Sequence, residues 1–411
     1  KALIGPWVHA MPHQAYPGPN IDWLHEMVRF FDYWLKGIDN GVMAEPPLTI
    51  FRQEYTPPEP FPERVNGCWH SEVAYPIART QFQTLFLNDG ILQSTPPEAE
   101  QVDVYPHRPT LGTQAGLCWG GGSAPNGLAR DLRPDEALSL TYTGQRLTEP
   151  LDIIGFARVV LYLSVDAPVA HVVVRLADVA PDGTSALVTT GILNLTHRSG
   201  HHQPIPLTSG EIYEIPVQLK ACGYRFLPGH RLRVSITSAY WPVIWPSPYR
   251  TTNYLYCGPA HPSRLILPVV PIDESSPTPP IFKTSPPEII EIGSYHREPP
   301  TWQIIEDVID QSVTVKVYGG DTTELPDGRI SLFNSELLEL TAYHHDPAYT
   351  SLYNEVIYHL KEHNYETRIR ATGTIRSTES DFHIDVQLQV SLNDNPFFQK
   401  SWLESIPRQW L

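Results

Sequence analysis

The residues of this chain best suited to do chemistry lie at its start. Positions 1 to 9 read KALIGPWVH: three apolar residues, a Gly-Pro-Trp turn and a histidine. Pro6 biases Gly5 away from helix and a Gly-Pro pair marks a turn, so His9 is expected on a loop just past a short strand. A neutral imidazole there can take the proton of a serine hydroxyl and return it to a leaving group, which is the work of the histidine in a Ser-His-Asp triad. On site criteria alone a solvated or capping histidine looks the same, and the chemistry needs a nucleophile and an acid beside it.

Neither partner is legible. No G-x-S-x-G elbow occurs; the GGGSAPNG stretch around Ser123 has Pro125 where the second flanking glycine should stand, and reads as a surface loop. A metal reading fares no better. His9 and His13 are four apart, but Pro12 blocks the helix that would bring both rings to one face. The adjacent pairs His201/His202 and His344/His345 diverge in an extended chain, and no G-x-x-x-x-G-K phosphate loop is present. Tyr240, Trp241, Trp245 and Tyr249 crowd into SAYWPVIWPSPY. Such rings can stack on sugars, but the prolines interrupt any regular strand and the rings bury much area, so a domain interface is the expected use.

The elements that must position His9 follow. From Asn20, NIDWLHEMVRFFDYWLKG puts Leu24, Met27, Val28, Phe31, Trp34 and Leu35 at helical spacing, with Asn20 as N-cap and Gly37 as stop. This is the one strong amphipathic helix. After MAEPP the texture turns to short alternating runs, among them LTIFRQ, FQTLFLN, ARVVLYLSV, VVVRLADV, ALVTTGILNL, YEIPVQL and RLRVSITSA, separated by turn residues. Many short strands imply a β-sandwich or jelly roll. The Pro/Ser-rich VVPIDESSPTPPIFKTSPP marks a boundary near residue 272. Beyond it SVTVKVY, YETRIRATGTIRS and FHIDVQLQVSL predict a second all-β unit; in the last, Phe382, Ile384, Val386, Leu388, Val390 and Leu392 share one face. No repeat of fixed period is present.

At 411 residues the chain exceeds one ordinary core, so two or three domains are expected. Its 41 % apolar and 18 % charged composition is that of a globular protein. A formal charge of -16 with no basic cluster argues against nucleic acid or an anionic membrane surface as partner. Cys68, Cys118, Cys222 and Cys257 are scattered, never as C-x-x-C, and are expected as small buried side chains, which leans towards a reducing, cytoplasmic location.

ALIGPWVHAMPHQAYPGPNIDWLHEMVRFFDYWLKG resembles the segment around the catalytic histidine of the cocaine-esterase and X-prolyl dipeptidyl-peptidase-like (CocE/NonD) serine hydrolases, where Gly-Pro-Trp-x-His precedes the last helix of the catalytic domain. In order along the chain, RDLRPDEALSLTYTGQRLTEPLDIIG, RLADVAPDGTSALVTTGILNLTHR, LPGHRLRVSITSAYWPVIWPSP and SRLILPV resemble that family's C-terminal jelly roll, and SWLESIPRQWL the end of its larger members. The resemblance covers nearly the whole chain. It implies a serine hydrolase acting on small ester or amide substrates or short peptides through an acyl-enzyme, with no metal and no organic cofactor, and with His9 as the catalytic base. The expected organisation is a remnant of an α/β-hydrolase domain at 1–45, a jelly roll at 46–271 and an accessory antiparallel β domain at 272–411.

In α/β-hydrolases the chain order is serine, acid, histidine. With the histidine at position 9, the other members and the oxyanion donors are expected before Lys1, on a missing N-terminal catalytic half, so the chain alone is expected to be inactive. The helix would then lack the sheet it covers, leaving Phe31 and Trp34 on an apolar patch that seeks that half. Two rival readings are a non-catalytic carbohydrate-binding module using Trp241 and Trp245, and a scaffold for an enzyme subunit; a homo-oligomer is compatible with all three.

Overall fold

The computed structural model describes residues 1–7, 9–59, 62–116, 128–271, 276–284 and 293–411. The Ser123 loop, Cys118 and the boundary at 272 lie outside these. Among the described residues the chain is mainly β and forms two hydrogen-bonded networks, one of 16 strands and one of eight.

The first network is centred on a sandwich of two antiparallel layers. One holds the strands Gln101–Pro106, Thr252–Cys257, Arg158–Val165 and Tyr213–Gln218 side by side. The other holds Leu140–Thr143, Arg231–Thr237, His171–Val179 and Ser185–Asn194. Val159, Leu161 and Leu163 from one layer and Val172, Val174 and Leu176 from the other share the main core, each at most 1 % exposed. The alternation of period two puts these side chains on one face, and their burial is the chief stabilising term. VVVRLADV departs from alternation because its strand is buried at every position: Val173 and Ala177, on its other face, pack with Leu132, Ala115 and Tyr240. Arg175 lies on that face too, its guanidinium 4.8 Å from the Tyr240 ring centroid.

The second network begins at Ser294 with two short strands, Ser294–Arg297 and Thr301–Asp307, both paired to Ser312–Glu324, and from there runs as an antiparallel meander of strands 12 to 14 residues long up to Pro407. Its registers align apolar positions across the sheet, with Val315 opposite Leu340, Leu340 opposite Leu352, Leu352 opposite Ile375 and Ile375 opposite Ile384. The two networks meet through the aromatic segment. Trp241 is 1 % exposed and packs with Val315, Leu340 and Ala342. Trp245 donates its indole N–H to Ser377 Oγ at 2.9 Å and stands edge-on to Phe382. Arg408 Nη2 donates to the Pro246 carbonyl at 2.7 Å. The prolines free this stretch from strand pairing, and its rings seal one sheet to the other as the composition led one to expect.

The opening segment attaches to the first network as a parallel strand. Ala2–Ile4 pairs in register with Leu48–Ile50, and the helix Trp23–Lys36 follows. Gly37 ends it in the left-handed conformation at φ 70°, as foreseen. The N-cap is not Asn20 but Asp22, whose carboxylate accepts from the His25 amide at 3.0 Å, so the helix begins two residues later than Ile21. Asn20 instead donates to the Ala15 carbonyl and braces the preceding loop. The cysteine expectation also needs correction: Cys257 is buried, but Cys222 is half-buried and Cys68 exposed, because Cys68 stands near the end of the strand Gly67–Glu72, which pairs on one side only. All three are free thiols, and burial pushes Cys222 and Cys257 up to about 12, which makes them inert.

Candidate functional site

Gly5 and Trp7 have separate tasks in shaping the turn that leads to His9. A Cβ on Gly5 would lie 2.6 Å from Trp7 Cε2, so only glycine lets the backbone pass beneath the indole. Trp7 reaches across the loop and donates its indole N–H to the Pro19 carbonyl at 2.7 Å. Its ring leans on Trp69 at a centroid distance of 5.9 Å; Trp69 is itself held edge-on by Phe51 at 5.3 Å and Phe282 at 4.7 Å. The Ala10 amide closes a turn onto the Trp7 carbonyl at 3.2 Å. His9 falls within that turn and is exposed. Among the described residues no carboxylate or hydroxyl hydrogen-bonds its ring, and the imidazole faces solvent.

The helix beside it has no buried residue. Phe31 is 46 %, Trp34 58 % and Leu35 77 % exposed, against the norm that an amphipathic face is covered. Polar ties at one flank fasten it instead: Arg29 pairs with Glu26 at 2.8 Å and with Glu45, and Lys1 meets the same Glu45 at 2.5 Å. Burial works against the charge on Glu45, yet the hydrogen bonds from Arg29 and Lys1 hold its carboxyl below the usual range. Between helix and strand opens a cleft of about 360 Å³, lined by Leu3, Met27, Phe30, Phe31, Val42 and Phe282.

A second cleft, of about 570 Å³, lies between the histidine loop and the sandwich. Pro6 and Pro17 of the loop line it, together with Glu54, Lys220, Tyr224 and Tyr240 from the sandwich. Two aromatics of the β region, Tyr224 and Tyr240, thus share a cleft with the prolines of the histidine loop. Tyr240 belongs to the aromatic cluster visible in the sequence, but nothing in the sequence pairs it with Tyr224; the two converge through the layer packing.

Other polar pairs were candidates for acid–base work. His230 Nδ1 lies 2.8 Å from Asp178 Oδ1, and the Tyr224 hydroxyl donates to Asp178 Oδ2 at 2.9 Å. Burial raises the Asp178 carboxyl, with His230 and Tyr224 opposing it. Among the described residues no serine, threonine or cysteine side chain hydrogen-bonds His230, so this trio knits the core rather than activating a nucleophile. His107 Nδ1 is 2.9 Å from Ser238 Oγ, but burial and the nearby His171 depress His107 to about 3, a poor base near neutrality. Neither pair includes His9. No three His, Cys, Asp or Glu side chains converge as metal ligands do, among the described residues, and none of their helices is long and apolar enough to cross a membrane.

The chain is 28 % identical over 295 residues to a Mycobacterium bovis protein provisionally named a serine esterase, covering 65 % of the chain and 45 % of that protein. It is 26 % identical over 312 residues to the cocaine esterase of a Rhodococcus species, covering 66 % of the chain and 51 % of the esterase. Thus it spans about half the length of the curated relatives it matches. Among solved structures, an α-amino acid ester hydrolase shares the fold over 65 % of this chain and 50 % of its own, with TM-score 0.53 and 24 % identity. An aminopeptidase from a marine sediment Thaumarchaeota archaeon does so over 66 % and 49 %, with TM-score 0.55 and 21 % identity. Residues 40–266, more than half of the chain, match the profile of the X-Pro dipeptidyl-peptidase C-terminal non-catalytic domain, and the chain belongs to that family.

Proposed function

We propose that this chain is the C-terminal part of a CocE/NonD-like serine hydrolase that cleaves esters or amides, and that His9 is its general base. Residues 1–45 are then the remnant of the α/β-hydrolase domain, 46–271 the jelly roll and 272–411 an accessory β domain. The observation that carries this reading is the anchored loop: Gly5, Trp7, Pro19 and Trp69 fix a turn whose product is an exposed His9 beside an uncovered helix.

The serine, the acid and the oxyanion donors come from the catalytic half. The serine Oγ attacks the substrate carbonyl while its proton passes to His9; His9 returns that proton to the departing alcohol or amine, and water reverses the sequence to release the acid. The apolar face around Phe31 and Trp34 docks on the catalytic half, and the cleft floored by Tyr224 and Tyr240 receives part of the substrate. No metal or organic cofactor takes part, and the unpaired thiols support a cytoplasmic location.

The test is turnover of a p-nitrophenyl ester by the chain, by the polypeptide encoded immediately upstream, and by their mixture. Activity confined to the mixture and lost in His9→Ala supports the reading; activity that ignores His9→Ala contradicts it. The scaffold alternative differs only in that last respect. Against the carbohydrate alternative stand the burial of Trp241 and the engagement of Trp245 by Phe382 and Ser377.

A further inference from the structure

The second sheet ends on the strand Asn395–Pro407, which pairs with Asp381–Leu392 and with nothing beyond it among the described residues. All 13 of its residues are exposed. Phe397 stands at 71 %, Phe398 at 48 % and Leu403 at 75 %. Long, exposed, apolar edges invite strand pairing and are normally guarded by charge, proline or a bulge. Here the prolines sit only at the ends, the one register shift leaves Phe397 unpaired before the stretch Phe398–Ile406, and the interior holds one lysine and one glutamate, Lys400 and Glu404.

Those two charges select the occupant. When a strand pairs antiparallel with a second copy of itself about a twofold axis normal to the sheet, opposed residues share a face, so the axis passes level with a residue. Centred on Lys400, the pairing sets lysine against lysine; centred on Glu404, glutamate against glutamate. Centred on Ser401 it sets Phe398 against Glu404, and on Leu403 it sets Lys400 against Ile406. Centred on Trp402 it sets Lys400 against Glu404 twice, Phe398 against Ile406 twice, and Trp402 against itself. The same residues lie opposite Leu388, Ile384, Val390, Phe382 and Val386 of the neighbouring strand. They therefore continue the half-buried apolar face of Asp381–Leu392.

We propose that the chain forms a symmetric dimer in which the strand Asn395–Pro407 pairs antiparallel with its own copy about Trp402, joining the two sheets edge to edge. Cross-strand ion pairs and aromatic contacts of this kind stabilise, and like charges directly opposed destabilise.

The test is sedimentation velocity at low salt on the full chain carrying Phe31→Lys and Trp34→Lys, which silences the helix patch. A concentration-dependent dimer is expected. Lys400→Glu alone and Glu404→Lys alone each set two like-charge pairs across the axis and should weaken the dimer by about tenfold; the double reversal Lys400→Glu/Glu404→Lys should restore it. With Cys68→Ser, Trp402→Cys should oxidise to a disulfide-linked dimer, since the thiol faces its own copy. A monomer at every concentration, a dimer that ignores the single reversals, or a double reversal that fails to restore affinity overturns the proposal.

Discussion

The indole N–H of Trp7 meets the carbonyl oxygen of Pro19 at 2.7 Å, and this bond spans the loop that carries His9. Its removal should be felt at the histidine, not in the sandwich. Trp7→Phe keeps most of the ring against Trp69 but leaves the Pro19 carbonyl without its donor, at a cost of about 1 kcal/mol. Amide exchange at Ala10 and Gln14, whose turns close on Trp7 and Met11, should accelerate while exchange in His171–Val179 stays unchanged. Gly5→Ala should act more strongly, because its Cβ must displace the indole. Uniform acceleration across the whole chain would show that the loop has no local role.

The uncovered helix predicts a partner. Phe31 and Trp34 are exposed at 46 % and 58 % on a face with no buried residue. Phe31→Lys/Trp34→Lys should raise the solubility of the isolated chain and weaken its association with the upstream polypeptide at least tenfold, read by titration calorimetry. Unaltered affinity would place the docking surface elsewhere.

Trp241 governs how the sheets hold together. Trp241→Ala removes a fully buried indole from between Val315 and Leu340 and should cost about 3 to 5 kcal/mol. Urea unfolding should then split into two transitions, with residues 294–407 losing protection first. A single transition at the original midpoint would contradict the role assigned to that ring.

Acid should unfold the sandwich through two histidines. Burial depresses His107 to about 3, with His171 adding to the effect, and burial depresses His171 to about 4, with Arg408 adding to it. The folded protein refuses protons that the unfolded chain accepts below its ordinary pKa of about 6.5. Stability is therefore full above that value and is lost as the pH falls through the window towards 4 and then 3. Near pH 5 each histidine contributes a slope of about 1.4 kcal/mol per pH unit. His107→Gln should remove one such increment from the pH dependence of urea unfolding; an unchanged slope would mean that His107 is protonated in the fold.

The chain's local punctuation was readable and its convergences were not. Gly-Pro-Trp announced a turn because its geometry is set by residues adjacent in sequence, and Gly37 announced the helix end for the same reason. The aromatic stretch declared itself an interface because prolines exclude it from strands while its rings demand burial. Asn20 and Asp22 are both competent caps two residues apart, and the choice fell to Asp22 because Asn20 is drawn to the Ala15 carbonyl. Trp69, which leans on Trp7, and Phe282, which holds Trp69, come from 62 and 275 positions beyond Trp7. Tyr224 and Tyr240 floor the second cleft from separate segments of the chain. Such meetings depend on layer packing, which no single-chain periodicity encodes.

The central claim is that His9 activates a serine carried by another portion of the hydrolase. Its most direct test is fluorophosphonate labelling read by intact mass, on the purified chain alone and after mixing with the polypeptide encoded immediately upstream. The account predicts no adduct on this chain, an adduct on the upstream polypeptide in the mixture, and loss of that adduct with His9→Ala. Labelling of the chain by itself, or labelling of the mixture that is indifferent to His9→Ala, would contradict it.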